Sequence, residues 1–263
     1  MKTVFAIGDS WLNYFFTDLY RVLQDRGFAV ERVALPGETL ASIASGARIP
    51  PAAVAPRTQL ARLKALIDGS PTPPTAILLS AGGDDVVAPD ETKQRRLKFL
   101  LNRAEDGAPA LIAREVRKLV DVEIRNDLAM VLAAITALCR ARYPGKTIPI
   151  LVHGYAHPVA DGRRGPFEAG PWLGPVFAGQ GYGVDQMRLR LTVMKRLIDR
   201  LNKMQMGLVK EPRFSHVVHI DMRTVLSSKS RDYREHWENE LHPTRHGFQL
   251  VGARLAEVLH SLS

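Results

Sequence analysis

Ser10 and His242 are the two side chains whose types and settings most directly suggest covalent chemistry. Ser10 closes the tripeptide Gly8-Asp9-Ser10, directly after a short β-branched and aromatic run, and His242 lies in Asn239-Glu240-Leu241-His242-Pro243 near the carboxyl end. A serine hydroxyl becomes a nucleophile when a histidine takes its proton, and the tetrahedral oxyanion that follows needs N–H donors. Two further segments offer such donors, Pro36-Gly37-Glu38 and Gly82-Gly83-Asp84-Asp85. Taken alone, Ser10 reads as a helix N-cap. Convergence of all four segments on one place would instead make the chemistry acyl transfer.

Whether they converge depends on the elements that carry them. Residues 2–7 read as a strand, followed by apolar residues at helical spacing over 11–26 (Leu12, Phe15, Phe16, Leu19, Val22, Leu23) with Gly27 as a stop. This places Ser10 near a helix N-terminus, which favours developing negative charge. Further strands are expected over 28–35, 75–80, 147–153 and 217–220. Helices are expected over 58–68, 91–101, 120–142, 185–206 and 245–262. Strands alternating with helices imply a parallel sheet covered on both faces. The four segments then follow the first, second, third and fifth strands and share the carboxyl edge of one sheet.

These blocks carry a family resemblance. Ile7-Gly8-Asp9-Ser10, Gly37, Gly82-Gly83-Asp84-Asp85 and Asn239 to His242 match, in order and spacing, the four marker blocks of the SGNH (GDSL-type) hydrolases. Val152-His153-Gly154-Tyr155, Ile220-Asp221-Met222-Arg223 and Trp237-Glu238-Asn239-Glu240-Leu241-His242-Pro243-Thr244 resemble a bacterial esterase and lipase branch of that family. The resemblance implies a flavodoxin-like three-layer α/β/α sandwich around a parallel five-stranded sheet, and hydrolysis of a carboxylic ester through an acyl-enzyme without cofactor or metal. Ser10 would be the nucleophile and His242 the base and then the acid. The amides of Ser10 and Gly37 would belong to the oxyanion hole, with Asp9, Asp85 and Glu240 in support. A G-x-S-x-G elbow is absent, which argues against the ordinary α/β-hydrolase arrangement.

Two positions depart from the family pattern. Asp84 stands where an asparagine normally supplies the third oxyanion donor, and Asn239 stands where an aspartate normally orients the histidine. Losing one oxyanion donor costs about 2.7 to 4 kcal/mol, and an ionised Asp84 would add repulsion. Asp84 can donate only when protonated, a state that burial or the neighbouring Asp85 carboxylate would favour. An asparagine oxygen at Asn239 still accepts the Nδ1 proton of His242 but stabilises imidazolium less than a carboxylate does. Glu238, Glu240 and Asp221 are the other groups that could bring charge to the ring, with Asn239 or a backbone carbonyl ranked ahead of Glu240. The same departures fit a second reading, a catalytically impaired module of the same fold that binds an acyl or sugar ligand.

Other motifs weigh less. His153 and His157 have an i, i+4 spacing, but on a strand running into a loop this does not make one metal-binding face. His216, His219, His246 and His260 read as structural or solvated. Gly179-x-Gly181-x-Gly183 lacks the preceding strand and following lysine of a phosphate loop and reads as a hinge. Trp11, beside Ser10, suits a pocket wall and a core position equally.

Composition sets the frame. The chain has 263 residues, 46% apolar and 24% charged, as in a globular protein. A single organisation over 1–263 is expected, with a basic helical insertion over about 84–120 and a Gly/Pro/aromatic loop over about 154–184 containing Phe167, Trp172, Phe177 and Tyr182. Long loops at the carboxyl ends of parallel strands commonly cover a site. Cys139 is the only cysteine, so an intramolecular disulfide or a cysteine zinc cluster is excluded. No apolar run reaches membrane-spanning length, and the short start before Gly8 does not read as an export signal, so a cytoplasmic location is expected. The 36 Lys and Arg against 27 Asp and Glu give a net charge of +9. Arg95, Arg96 and Lys98 fall in the insertion, and Arg188, Arg190, Lys195, Arg196, Arg200 and Lys203 on one helix. Without interleaved aromatics this pattern reads as solvated faces rather than a nucleic-acid surface. It fits attraction of an anionic substrate or lipid head group to a small-molecule site, and a basic protein that binds an acidic partner stays open as a third reading.

Overall fold

Val4, Phe5, Ala6 and Ile7 on the first strand and Ala76 to Leu79 on the third have no solvent exposure. A strand that is apolar on both faces needs a cover on both sides, as in a parallel α/β sheet. The computed structural model describes residues 1–15, 17–45, 58–89, 94–166, 169–229 and 231–262. Its sheet has five parallel strands, β1 (Lys2–Gly8), β2 (Phe28–Arg32), β3 (Ala76–Ser80), β4 (Ile150–His153) and β5 (Val217–Ile220), in the order β2-β1-β3-β4-β5. The fold is a three-layer α/β/α sandwich with the doubly wound order of the flavodoxin type. The order reverses at β1, so the crevice beyond the carboxyl ends of β1 and β3 is the topological switch point where such folds bind ligands.

The helices are α1 (Leu19–Asp25), α2 (Leu40–Ser45), α3 (Gln59–Gly69), α4 (Asp84–Val87), α5 (Arg96–Phe99), α6 (Ala113–Val116), α7 (Arg125–Arg142), α8 (Gly174–Gly179), α9 (Met187–Leu208), α10 (Tyr233–His236) and α11 (Arg245–Ser261). A π-helical segment, Arg117–Ile124, joins α6 to α7. Local chemistry marks several starts. Thr58 Oγ1 accepts from Ala61 N at 3.0 Å ahead of α3, and Thr244 Oγ1 accepts from Gly247 N at 3.0 Å ahead of α11. The helices α1 and α11 pack on one another, whereas α3 and α9 both pack on α7.

Several expected elements change. The helix expected over 11–26 is split into a 3-10 turn, Ser10–Leu12, and α1. Asp9 caps that turn by accepting from Trp11 N at 3.0 Å, Asn13 Nδ2 donates to Ala34 O, and Thr17 Oγ1 accepts from Leu19 N, so the chain bends between the two. Ser10 therefore does not begin an α-helix, and the expected helix-dipole assistance is withdrawn. Phe15 is exposed; Phe16, Phe167 and the first part of the helix expected over 91–101 lie outside the described residues. The described residues of the insertion over 84–120 carry the short helices α4, α5 and α6 and the start of the π-helical segment, and β2 and β4 are shorter than expected. Arg190 was expected on a solvated helical face, yet it is fully buried. Its guanidinium donates to Tyr182 O and Ala160 O, tying α9 to the long loop.

Candidate active site

The turn after β1 is built around Gly8. Its φ of +136° is left-handed, and a Cβ there would lie 1.9 Å from Ser80 O, so only glycine lets β1 and β3 approach this closely. Gln59, buried on α3, reads the same residue: Gly8 N donates to its Oε1 at 2.8 Å and its Nε2 donates to Gly8 O at 2.9 Å. Beyond Gly8 the Asp9 carboxyl is fully buried. Ser80 Oγ donates to Asp9 Oδ1 at 2.6 Å, and Tyr155 OH donates to Oδ2. Burial raises Asp9 to about 6 despite these donors. Asp9 thus fastens the backbone on which Ser10 sits to β3 and to the segment after β4.

Ser10 Oγ lies 2.8 Å from His242 Nε2, and both residues are largely buried, at 8% and 6% exposure. The other ring nitrogen, Nδ1, lies 3.1 Å from Asn239 Oδ1. That oxygen also accepts from Leu241 N and His242 N, each at 2.9 Å. Backbone N–H groups can only donate, so they fix which end of the Asn239 amide is the oxygen. Its Nδ2 donates to Tyr14 OH at 2.9 Å. The tautomer follows: Nδ1 carries the proton and donates to Asn239, leaving Nε2 bare to accept from Ser10 Oγ–H. Desolvation lowers His242 to about 3, with no carboxylate at Nδ1 to raise it. The ring is neutral near pH 7, and a bare Nε2 on a serine hydroxyl is the ground state of a general base.

Sequence reasoning missed the groups that hold this ring. Tyr14 stacks on the imidazole at 4.1 Å between centroids, and Trp172 meets its edge at 5.4 Å. Gly165 passes so close over Asn239 that a Cβ would lie 2.5 Å from Nδ2. Both Gly165 and Trp172 belong to the long loop over 154–184. Glu240 is what holds that loop down. Its buried carboxylate accepts from the amides of Gly162, Trp172, Leu173 and Gly174 at 2.5 to 2.9 Å. Glu240 therefore does not bring charge to His242. Asp221 does not either, being paired with Arg223. The segment over 179–183 is pinned rather than hinged, since Gln180 Nε2 donates to Leu101 O and Tyr182 OH donates to Asn102 O.

The remaining expected residues are placed as follows. Asp84 opens α4 and shares with Ser10, Trp11 and Tyr155 the wall of a cavity. Asp85 points elsewhere: its buried carboxyl accepts from Leu40 N at 3.0 Å and is raised to about 6, chiefly by burial. It ties the third block to the turn that carries the second. Gly37 sits in that turn at φ +79°, exposed and outside the cavity wall. His153 is buried, with Nδ1 against Gly154 O, while His157 pairs with Asp199 at 2.9 Å, so the two do not face one another as ligands. His216 bonds Thr136 Oγ1. Among the described residues no helix is long and apolar enough to cross a membrane.

Solved structures with the same architecture decide the fold. Est24, a carbohydrate acetylesterase from Sinorhizobium meliloti, aligns over 100% of both chains with a TM-score of 0.58 at 13% identity. A member of the lipolytic G-D-S-L family from Veillonella parvula aligns over 97% of both chains with a TM-score of 0.51 at 11% identity. The chain has the SGNH hydrolase fold. The lipase Lip_vut3 from a goat rumen metagenome aligns over 98% of this chain and 97% of its own, with a TM-score of 0.53 at 11% identity. No protein-family model and no curated protein matches the sequence. At these identities the neighbours speak for architecture, and the chemistry of this chain is argued from its own residues.

Proposed function

We propose that this protein is a serine hydrolase that cleaves carboxylic esters of small molecules through an acyl-enzyme intermediate. One observation carries the reading: Ser10 Oγ donates to His242 Nε2 at 2.8 Å while Nδ1 is committed to Asn239, at the wall of a cavity. Ser10 Oγ attacks the carbonyl carbon as its proton passes to Nε2. The carbonyl oxygen becomes the oxyanion, for which the backbone amides of Ser10 and Gly37 and the protonated carboxyl of Asp84 are the proposed donors. Collapse breaks the C–O bond to the alcohol, which takes the proton from Nε2–H. Water then repeats the sequence on the acyl-enzyme and restores Ser10. The reading requires no cofactor.

Asp84 favours a second reading, since a carboxylate on the wall beside Ser10 would oppose an oxyanion. In that case the cavity binds an acyl or sugar ligand without turnover. Hydrolysis of p-nitrophenyl butyrate separates the two. The proposal expects turnover that falls to background in both Ser10→Ala and His242→Ala. Turnover that survives in folded Ser10→Ala, or none in the unaltered protein, contradicts it.

A further inference from the structure

The cavity beside Ser10 has one chemical character along most of its depth. Met194, Leu197, Ile198 and Leu201 line it from α9 at the i, i+3, i+4, i+7 spacing of one helical stripe. Val86 and Val87 of α4 face it from another side, and Val120 comes from the π-helical segment that precedes α7. A π-helical turn displaces the side chains of a helix from their regular positions and often marks a functional site. Among the described residues, the only ionisable carboxyl groups on the wall are those of Asp9 and Asp84, close to Ser10, and no Lys or Arg lines it. The apolar wall therefore suits an uncharged chain, and its described residues give a carboxylate or phosphate no cationic partner.

Which half of an ester enters follows from the chemistry of the step. The leaving alcohol must receive a proton from His242 Nε2, so the alcohol half lies on the imidazole side of Ser10. The acyl half extends away from it. Neither His242 nor Asn239 contributes to the cavity wall, whereas Ser10, Gly83 and Asp84 do, with Trp237 and Leu241 adding further apolar surface. Trp172, whose amide is held by Glu240, meets the imidazole edge and does not line the cavity.

We infer that this cavity is an acyl-chain site, so that the substrates are esters of unbranched apolar acids longer than acetate, with any anionic group confined to the alcohol half. The inference rests on the serine hydrolase reading above. Each methylene moved from water into such a site is worth roughly a threefold to fourfold gain in kcat/KM, until the cavity is full.

The test is a kcat/KM series over p-nitrophenyl acetate, butyrate, hexanoate and octanoate, run on the unaltered protein and on Val120→Phe and Met194→Trp. The inference expects hexanoate or octanoate to exceed acetate by at least about tenfold. It expects both variants to lose that preference while acetate hydrolysis and fluorophosphonate labelling of Ser10 persist. A series that peaks at acetate overturns the acyl-chain site and leaves the serine hydrolase reading standing. So does a variant that keeps its acyl preference but changes its preference among the acetates of butanol, hexanol and octanol, because the cavity would then hold the alcohol. Absence of both hydrolysis and labelling overturns both readings together. The chain-length series on the unaltered protein decides the matter even if a variant does not fold.

Discussion

The imidazole of His242 lies flat against the phenol ring of Tyr14, with centroids 4.1 Å apart and planes 9° from parallel. The same phenol accepts a hydrogen bond from Asn239 Nδ2, and the oxygen of that amide holds His242 Nδ1. Tyr14 therefore constrains the ring directly by contact and indirectly by fixing which end of Asn239 faces it.

Tyr14→Phe keeps the stack and removes the acceptor. A buried amide N–H then has no partner, which costs about 1–3 kcal/mol in stability. The freed amide orients the imidazole less well, so kcat is expected to fall about tenfold, equivalent to 1.36 kcal/mol of barrier, with little change in KM. Urea unfolding and steady-state kinetics on the one variant check both parts. An unchanged kcat would assign Tyr14 a packing role only.

Asn239→Asp brings an anion to Nδ1. His242 sits at about 3 because it is buried without such a charge, so it is neutral throughout the neutral range. A carboxylate there favours imidazolium and raises the pKa by about one unit or more. Loss of the base occurs as pH falls through the folded pKa. The acid limb of the kcat/KM profile should therefore move upward in pH in the variant, and it does not move if Nδ1 answers to another group. Asn239→Ala, with no acceptor for Nδ1, should lower kcat by about 10²-fold or more.

Asp84→Asn is expected to preserve or raise kcat, by up to about 10²-fold, and to remove any decline in activity at alkaline pH. The carboxylate is exchanged for a donor at a wall position shared with Ser10. Kinetics between pH 6 and 10 check this. A large drop in the variant would show that the carboxylate has a role of its own.

Glu240→Ala removes the acceptor for four loop amides. Hydrogen bonds to a charged group contribute about 1.5–3 kcal/mol each and are not additive, so a loss of about 3 kcal/mol or more is expected. Proteolysis should open the chain between 160 and 175 first, and kcat should fall as Trp172 leaves the imidazole edge. Glu240→Gln retains one accepting oxygen and should be intermediate.

The sequence made the five strands and the four blocks legible because both are local: apolar runs mark buried strands, and each block follows one. Val217–Ile220 was found to the residue. The helix over 11–26 misled because Phe15, Leu19 and Leu23 keep a helical period across a bend that Asp9, Asn13 and Thr17 impose through side-chain hydrogen bonds. Those three short polar residues were the available signal, since each competes with helical backbone bonding. Tyr14, Gln59 and Trp172 gave no local signal at all. Their partners stand 225, 51 and 68 residues away in sequence, beyond any periodicity. Arg190 misled for a related reason: a charged side chain on a helix reads as solvated until backbone groups from a distant loop surround it.

The pairing of Ser10 with His242 is tested most directly by a fluorophosphonate probe, which reacts with an activated serine hydroxyl and leaves an adduct readable by mass spectrometry. At pH 7.5 the account predicts one adduct, on the peptide containing Ser10, absent in Ser10→Ala and strongly slowed in His242→Ala. A folded protein that takes up no probe at Ser10, or that labels at the same rate in His242→Ala, would contradict it.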